Sequence, residues 1–199
     1  MSGTYPTSPT FRAIGFSSEQ KTITSTTDSG KMFSVQVDGQ RWKFSASYPP
    51  MTRTTFAPVY AFIIKQRGQK ETFTIVPPVI SSARGHEVNN VAVDGSHTAG
   101  DTTIAIDGHH NNSAGAFLAG DLVKFGGHDK VYMIVEDVTP SGNASTITIE
   151  PPLRSALADD ATITYDNVPF TVRLTNDVQQ FNTDDIDKYT FEVDFIEAL

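Results

Sequence analysis

The chain has 199 residues, 38% hydrophobic and 19% charged, which is enough apolar material for one large domain or two small ones and excludes a disordered polypeptide. A formal charge of −8 argues against a dedicated nucleic-acid binder, because phosphate neutralisation needs clustered Lys and Arg. The absence of cysteine removes disulfides, thiolate zinc sites and thiol catalysis.

In chain order, Met1–Pro9 is polar and lacks the apolar stretch of a signal peptide. The longest apolar run, Tyr60–Ile64, is far too short to cross a membrane as a helix. A protein made and assembled in the cytoplasm is expected. Phe33–Val37 alternates apolar and polar residues, and Asp38-Gly39 supplies a hairpin turn. The partner strand is Arg41–Tyr48, with Trp42, Phe44, Ala46 and Tyr48 on one face, ended by Pro49-Pro50. Trp42 and Tyr48 on that face read as core rather than as a ligand platform. Phe56, Val59, Tyr60 and Ile63 then recur at helical spacing, with Thr54 or Thr55 as cap and Gly68 as stop. Glu71–Val76 alternates as a strand up to Pro77-Pro78.

Past Ala83-Arg84-Gly85 the character changes. Short strands are expected at Val88–Val93, Thr102–Ile106, Asp121–Phe125, Lys130–Val138, Thr146–Ile149 and Ala161–Tyr165, divided by Gly- and Asp-rich turns. Such spacing predicts a small β-barrel. From Val168 the first character returns, in Phe170–Leu174 and in the strictly alternating Tyr189–Phe195. So apolar a terminal strand needs a sheet to join. The simplest organisation is a discontinuous sheet-plus-helix domain, residues 1–84 and 168–199, carrying the barrel, residues 85–167, as an insertion. Two tandem domains are the alternative. The fold class is mainly β.

Candidate catalytic motifs fail one by one. His86-Glu87 begins a zinc-protease helix motif, but Asn90 stands where the second His is needed. Ser18-Glu-Gln-Lys21 has acyl-transferase spacing without its companion motifs. There is no Gly-x-Ser-x-Gly elbow and no phosphate-binding Gly-Lys-Ser/Thr loop. His109-His110 beside Asp107, with His97 or His128, has metal-ligand chemistry, yet a polar turn before Asn111-Asn112 accounts for it. The turn residues Asp94, Asp101, Asp107 and Asp121 lack calcium-loop spacing. The acidic stretch Asp177–Asp187 reads as a solvated loop, with a channel wall or basic partner as the functional alternative. No nucleophile–base pair is legible, so the reading is non-enzymatic, without cofactor or metal.

Three stretches resemble the distal tail proteins of long-tailed phages, closest to the T-five-type siphophages: Gly15-Phe16-Ser-Ser-Glu, Trp42-Lys-Phe-Ser-Ala-Ser-Tyr48-Pro49, and Ala119-Gly-Asp-Leu-Val-Lys-Phe125. The third continues through Lys130-Val-Tyr132-Met-Ile, Ser141-Gly-Asn143 and Ile149-Glu-Pro-Pro-Leu153. Val168–Leu174 and the chain end at Phe195–Leu199 also match in order. The resemblance implies a hexameric ring between tail tube and tip complex, built by a tube-like core domain and bearing an inserted barrel like an oligonucleotide/oligosaccharide-binding (OB) fold. It implies as partners further copies of the chain, the tail tube protein, and a tip, hub or baseplate protein. DNA is met only in transit, and the location is the distal end of the virion tail. Six copies at −8 each would make a wall that DNA slides past.

Unpaired edges are where subunits join, so Phe33, Val35 and Val37, and Tyr189, Phe191 and Val193, are the ring-interface candidates. For the barrel, a basic groove for single strands is missing, since Lys124, Lys130 and Arg154 are its few basic residues. A host-surface saccharide is the rival ligand, on a face of Phe125, Tyr132 and Tyr165. The competing functions are thus a carbohydrate-binding adsorption module or another tail-tube or tail-completion component.

Overall fold

The computed structural model describes residues 2–184 and 188–199. The strands are β1 Ala13–Thr26, β2 Met32–Ser47, β3 Phe73–Ile75, β4 Ala92–Val93, β5 Thr103–Asp107, β6 Leu122–Phe125, β7 Val131–Ile134, β8 Ala144–Glu150, β9 Ile163–Thr164, β10 Phe170–Leu174, β11 Phe181–Thr183 and β12 Tyr189–Glu197. With them, among the described residues, is a helix, α1, Arg53–Lys65. The molecule is mainly β. It divides into two compact units, residues 1–74 with 172–198, and residues 75–171.

The first unit is organised by a sheet in the order β1-β2-β12-β10-β3, with β11 added to β12. Period-two alternation places Trp42, Phe44 and Ala46 of β2 and Phe191, Val193 and Phe195 of β12 in the core. The helix lays Phe56, Val59 and Ile63 on the same side. Phe56 stacks on Tyr189 at 4.9 Å, and Phe62 meets Phe73 edge-on at 5.4 Å. Burying a side chain such as Phe195 completely is worth roughly 1.5–3 kcal/mol, so these rings hold helix and sheet together. The helix begins after Thr52, two or three residues earlier than the Thr54 or Thr55 cap expected, and Gly68 lies in the turn that follows it, at φ +66.

Two expectations are corrected here. Phe33–Val37 and Arg41–Tyr48 are not the two arms of a hairpin. They are one strand, β2, paired along its length with β1 from Ala13↔Ser47 to Thr26↔Met32. Asp38-Gly39 makes a bulge instead of a turn: the register shifts opposite Glu19/Lys21, and Gly39 has φ +108. An Asp-Gly pair suits both features, because each needs a left-handed backbone. The actual turn is Thr27–Lys31, closed by Thr27 N–H to Lys31 O at 2.9 Å. Second, β12 is not an edge. It pairs with β2 through Glu192↔Ser47 to Ile196↔Lys43 and, on its other side, with β10 and β11.

The second unit is a nearly closed sheet in the order β4-β5-β8-β7-β6-β9, every pairing antiparallel. An Ala92↔Thr162 bridge links its two ends, reinforced by Val93 N–H to Ala161 O at 3.0 Å. Six strands make this barrel, where an OB barrel has five. Ile104, Ile106, Phe117, Val123, Ile147 and Ile149 fill it.

Candidate assembly surface

The feature that sets the first unit apart is a ribbon. Backbone pairing of β12 with β2 stops at Lys43, and the Glu197 side chain of β12 still accepts the Trp42 N–H at 3.2 Å; from Arg41 to Met32, among the described residues, β2 pairs with β1 alone. Every residue from 21 to 37 is exposed. A two-stranded ribbon is at best marginally stable in water. This one also carries an apolar face. The register sets Ile23 opposite Val35, Ser25 opposite Phe33 and Lys21 opposite Val37, which puts Ile23, Phe33, Val35 and Val37 on one side. Ile23 and Val35 are each 65% exposed and Phe33 50%. The Lys31 ammonium sits 5.0 Å from the Phe33 ring centre. Thr22, Thr24, Ser34 and Gln36 form the opposite, polar side.

The sheet's two ends differ. Beyond β3 the N-terminal segment pairs in parallel, with Tyr5 N–H to Thr74 O at 2.7 Å and Thr74 N–H to Gly3 O at 2.9 Å. At the other end β1, a strand of 14 residues, is the last in the order. Its edge is a template for strand addition.

Of the expected interface residues, Phe33, Val35 and Val37 lie on the ribbon's apolar face. Tyr189, Phe191 and Val193 do not offer an edge, being on the interior strand β12, and Phe191 and Val193 are buried. The expected saccharide face is corrected as well. Phe125 and Tyr132, at 1% and 0% exposure, are barrel core. Alternation shows that two residues share a face, not whether that face points inward. The Tyr132 hydroxyl is satisfied inside, 3.0 Å from His128 Nδ1 and accepting the Arg154 N–H at 3.1 Å. Tyr165 is half-buried against Phe117 and donates to Asn89 O at 2.7 Å.

The histidines considered as ligands do not converge. His97 Nε2 accepts the Ala105 N–H at 3.2 Å, and His128 lies against Tyr132 and Ser155. Among the described residues no group of three or more His, Asp and Glu could hold a metal ion. Asp185 and Asp187 of the acidic stretch lie outside the described residues, while Asp177 accepts the Gln69 N–H at 3.0 Å. No helix is long and apolar enough to cross a membrane among those residues.

One constellation escaped sequence reasoning. Beside the paired β5 and β8, His109 Nδ1 lies 2.7 Å from Glu87 Oε2, and His109 Nε2 lies 2.7 Å from Ser145 Oγ. Glu87 Oε1 accepts the N–H groups of Asn89, Val88 and His110 at 2.9, 3.0 and 3.1 Å. Burial pushes the Glu87 carboxyl up, but the Asn89 N–H, the His109 ring and the Val88 and His110 N–H groups together hold it below the usual carboxylate range. The available signal was the pair His86-Glu87 and the pair His109-His110, neither of which points to Ser145.

Residues 79–168, the barrel with its flanks, match the family model described as distal tail protein pb9, B domain. The resemblance to phage distal tail proteins read from the sequence is borne out over these residues. The domain points to a structural role in the phage tail, in company with other tail components. No curated protein matches the chain.

Proposed function

We propose that the chain is the distal tail protein of a siphophage, a homo-hexameric ring that joins the tail tube to the tip, hub or baseplate complex and lets DNA pass. The observation that carries this reading is a B domain of that family, residues 79–168, flanked in sequence by β3 and β10 of a sheet whose ribbon lacks a second partner. Residues 1–84 and 168–199 are assigned to ring formation and residues 85–167 to the inserted barrel. A ribbon presenting open edges on both β1 and the distal half of β2 suits head-to-tail pairing, which closes into a ring when the rotation between neighbours is a whole fraction of a turn. The ribbon's apolar face, Ile23, Phe33, Val35 and Val37, is then covered by the next copy. A chain of net charge −8 lining a bore repels DNA and lets it slide.

The saccharide reading of the barrel loses Phe125 and Tyr132 to the core and keeps only Tyr165 of its three rings. Negative-stain electron microscopy of the purified protein is the test. Class averages of sixfold rings with a central opening are expected; monomers at every concentration would overturn the ring.

A further inference from the structure

The Glu87–His109–Ser145 cluster is more than a fold-stabilising polar contact. Glu87 is kept ionised by its N–H donors, so as a pure acceptor it must receive the proton of His109 Nδ1. That fixes the tautomer of the neutral ring and leaves Nε2 as an acceptor aimed at Ser145 Oγ, 2.7 Å away. His109 is buried, with its side chain fully enclosed, so its orientation is locked. Ser145 is different. It occupies the first inward position of β8 and is half-exposed, next to the exposed Thr146. The order is nucleophile, base, orienting carboxylate, with both hydrogen bonds in place.

Backbone geometry adds an oxyanion donor. Val135 N–H reaches Thr148 O from the side of β8 away from β5, at 2.9 Å. Ala105, opposite Thr146, spends its own N–H on His97 and its carbonyl on Asp94 N–H. Ala105 and Thr146 are therefore a pair that does not hydrogen-bond across the strands, and the Thr146 N–H points to the side of β8 away from β5, between the contacts of Val135 with Thr148 and of Ser141 with Ala144. It is the N–H of the residue directly after the serine, the position from which a serine nucleophile's tetrahedral intermediate takes one of its donors.

We propose that Ser145 is an activated nucleophile, with His109 as its general base and Glu87 as the positioning residue, acting on acyl esters. Esters are the class indicated, because a serine hydroxyl facing an imidazole acceptor attacks a carbonyl carbon and needs a leaving group that the same imidazole can protonate. In acylation Ser145 Oγ bonds to the ester carbonyl carbon, its proton passing to His109 Nε2. The carbon–oxygen bond to the alcohol then breaks, and His109 returns that proton to the departing alkoxide. Water, deprotonated by His109, attacks the acyl-serine and releases the carboxylic acid, the proton going back to Ser145 Oγ.

The test is labelling of the full-length protein with a fluorophosphonate, read by intact mass and peptide mapping. One adduct, on Ser145, is expected, absent in Ser145→Ala. In Glu87→Gln it should form about 100-fold more slowly, the scale of general-base assistance, with the rate's dependence on pH altered. A folded wild-type protein that stays unlabelled at Ser145 overturns the proposal, and that result stands even where Glu87→Gln fails to fold. An adduct that forms equally fast in a folded Glu87→Gln overturns the role of Glu87 and His109 as an activating pair.

Discussion

Glu87 shows how much a single carboxylate can organise. It ties its own loop to the turn at His109-His110 through four hydrogen-bonded partners, the N–H groups of Val88, Asn89 and His110 and the His109 ring. Its folded-state pKa lies below the ordinary value of 4.5, so its stabilising contribution is complete above that value and is lost as pH falls through the folded-state value. The stability gap between wild type and Glu87→Gln, measured by urea unfolding, should therefore hold steady above about pH 5 and narrow as the pH falls below it. Parallel curves would contradict the assignment. Tyr132 supplies a second residue-scale expectation. Being wholly buried, it is a core side chain, and Tyr132→Ala should cost roughly 3–5 kcal/mol, the usual range for deleting a buried aromatic ring. Gly85 is a third: a Cβ there would meet the Ala116 carbonyl oxygen at 2.1 Å, against backbone that cannot retreat. Gly85→Ala should lower the barrel's melting temperature, by an amount corresponding to about 1–3 kcal/mol of overpacking.

At the scale of elements, what sequence reveals depends on burial contrast. β12 and the proximal half of β2 stand out because their two faces differ sharply, Phe191, Val193 and Phe195 inward against Thr190, Glu192 and Asp194 outward. β1 was invisible for the opposite reason: its distal half is polar and solvated on both sides, so Lys21–Thr26 carries little alternation to read. Without β1, the only partner the sequence offers Phe33–Val37 is its own continuation, and Asp38-Gly39 turns into a false hairpin. The apolar ribbon face was nonetheless legible in Phe33, Val35 and Val37. The serine cluster was not, since His109 is separated from Glu87 by 22 positions and from Ser145 by 36, and only the pairing of β5 with β8 brings them together. The ribbon makes its own prediction. Val35→Asp places a charge on the apolar face at a position that is largely exposed in the monomer, so monomer stability should stay within about 0.5 kcal/mol while ring formation is lost. Native mass spectrometry beside a thermal melt separates the two effects, and a Val35→Asp hexamer would exclude this face from the ring contacts.

For the molecule as a whole, two compact units and the residues at which they divide set the logic. The barrel starts and ends at neighbouring points, since Val168 N–H donates to Ser81 O at 2.9 Å, and this is the geometry of a unit that can be inserted without disturbing its host. The central claim is that this chain sits at the junction of tail tube and tip. Immunogold electron microscopy of the tailed virions, with antibody against this chain, addresses it directly. Gold confined to the distal end of the tube, where it meets the tip complex, is the predicted result; gold along the tube, at the head-proximal end or on fibres would contradict it.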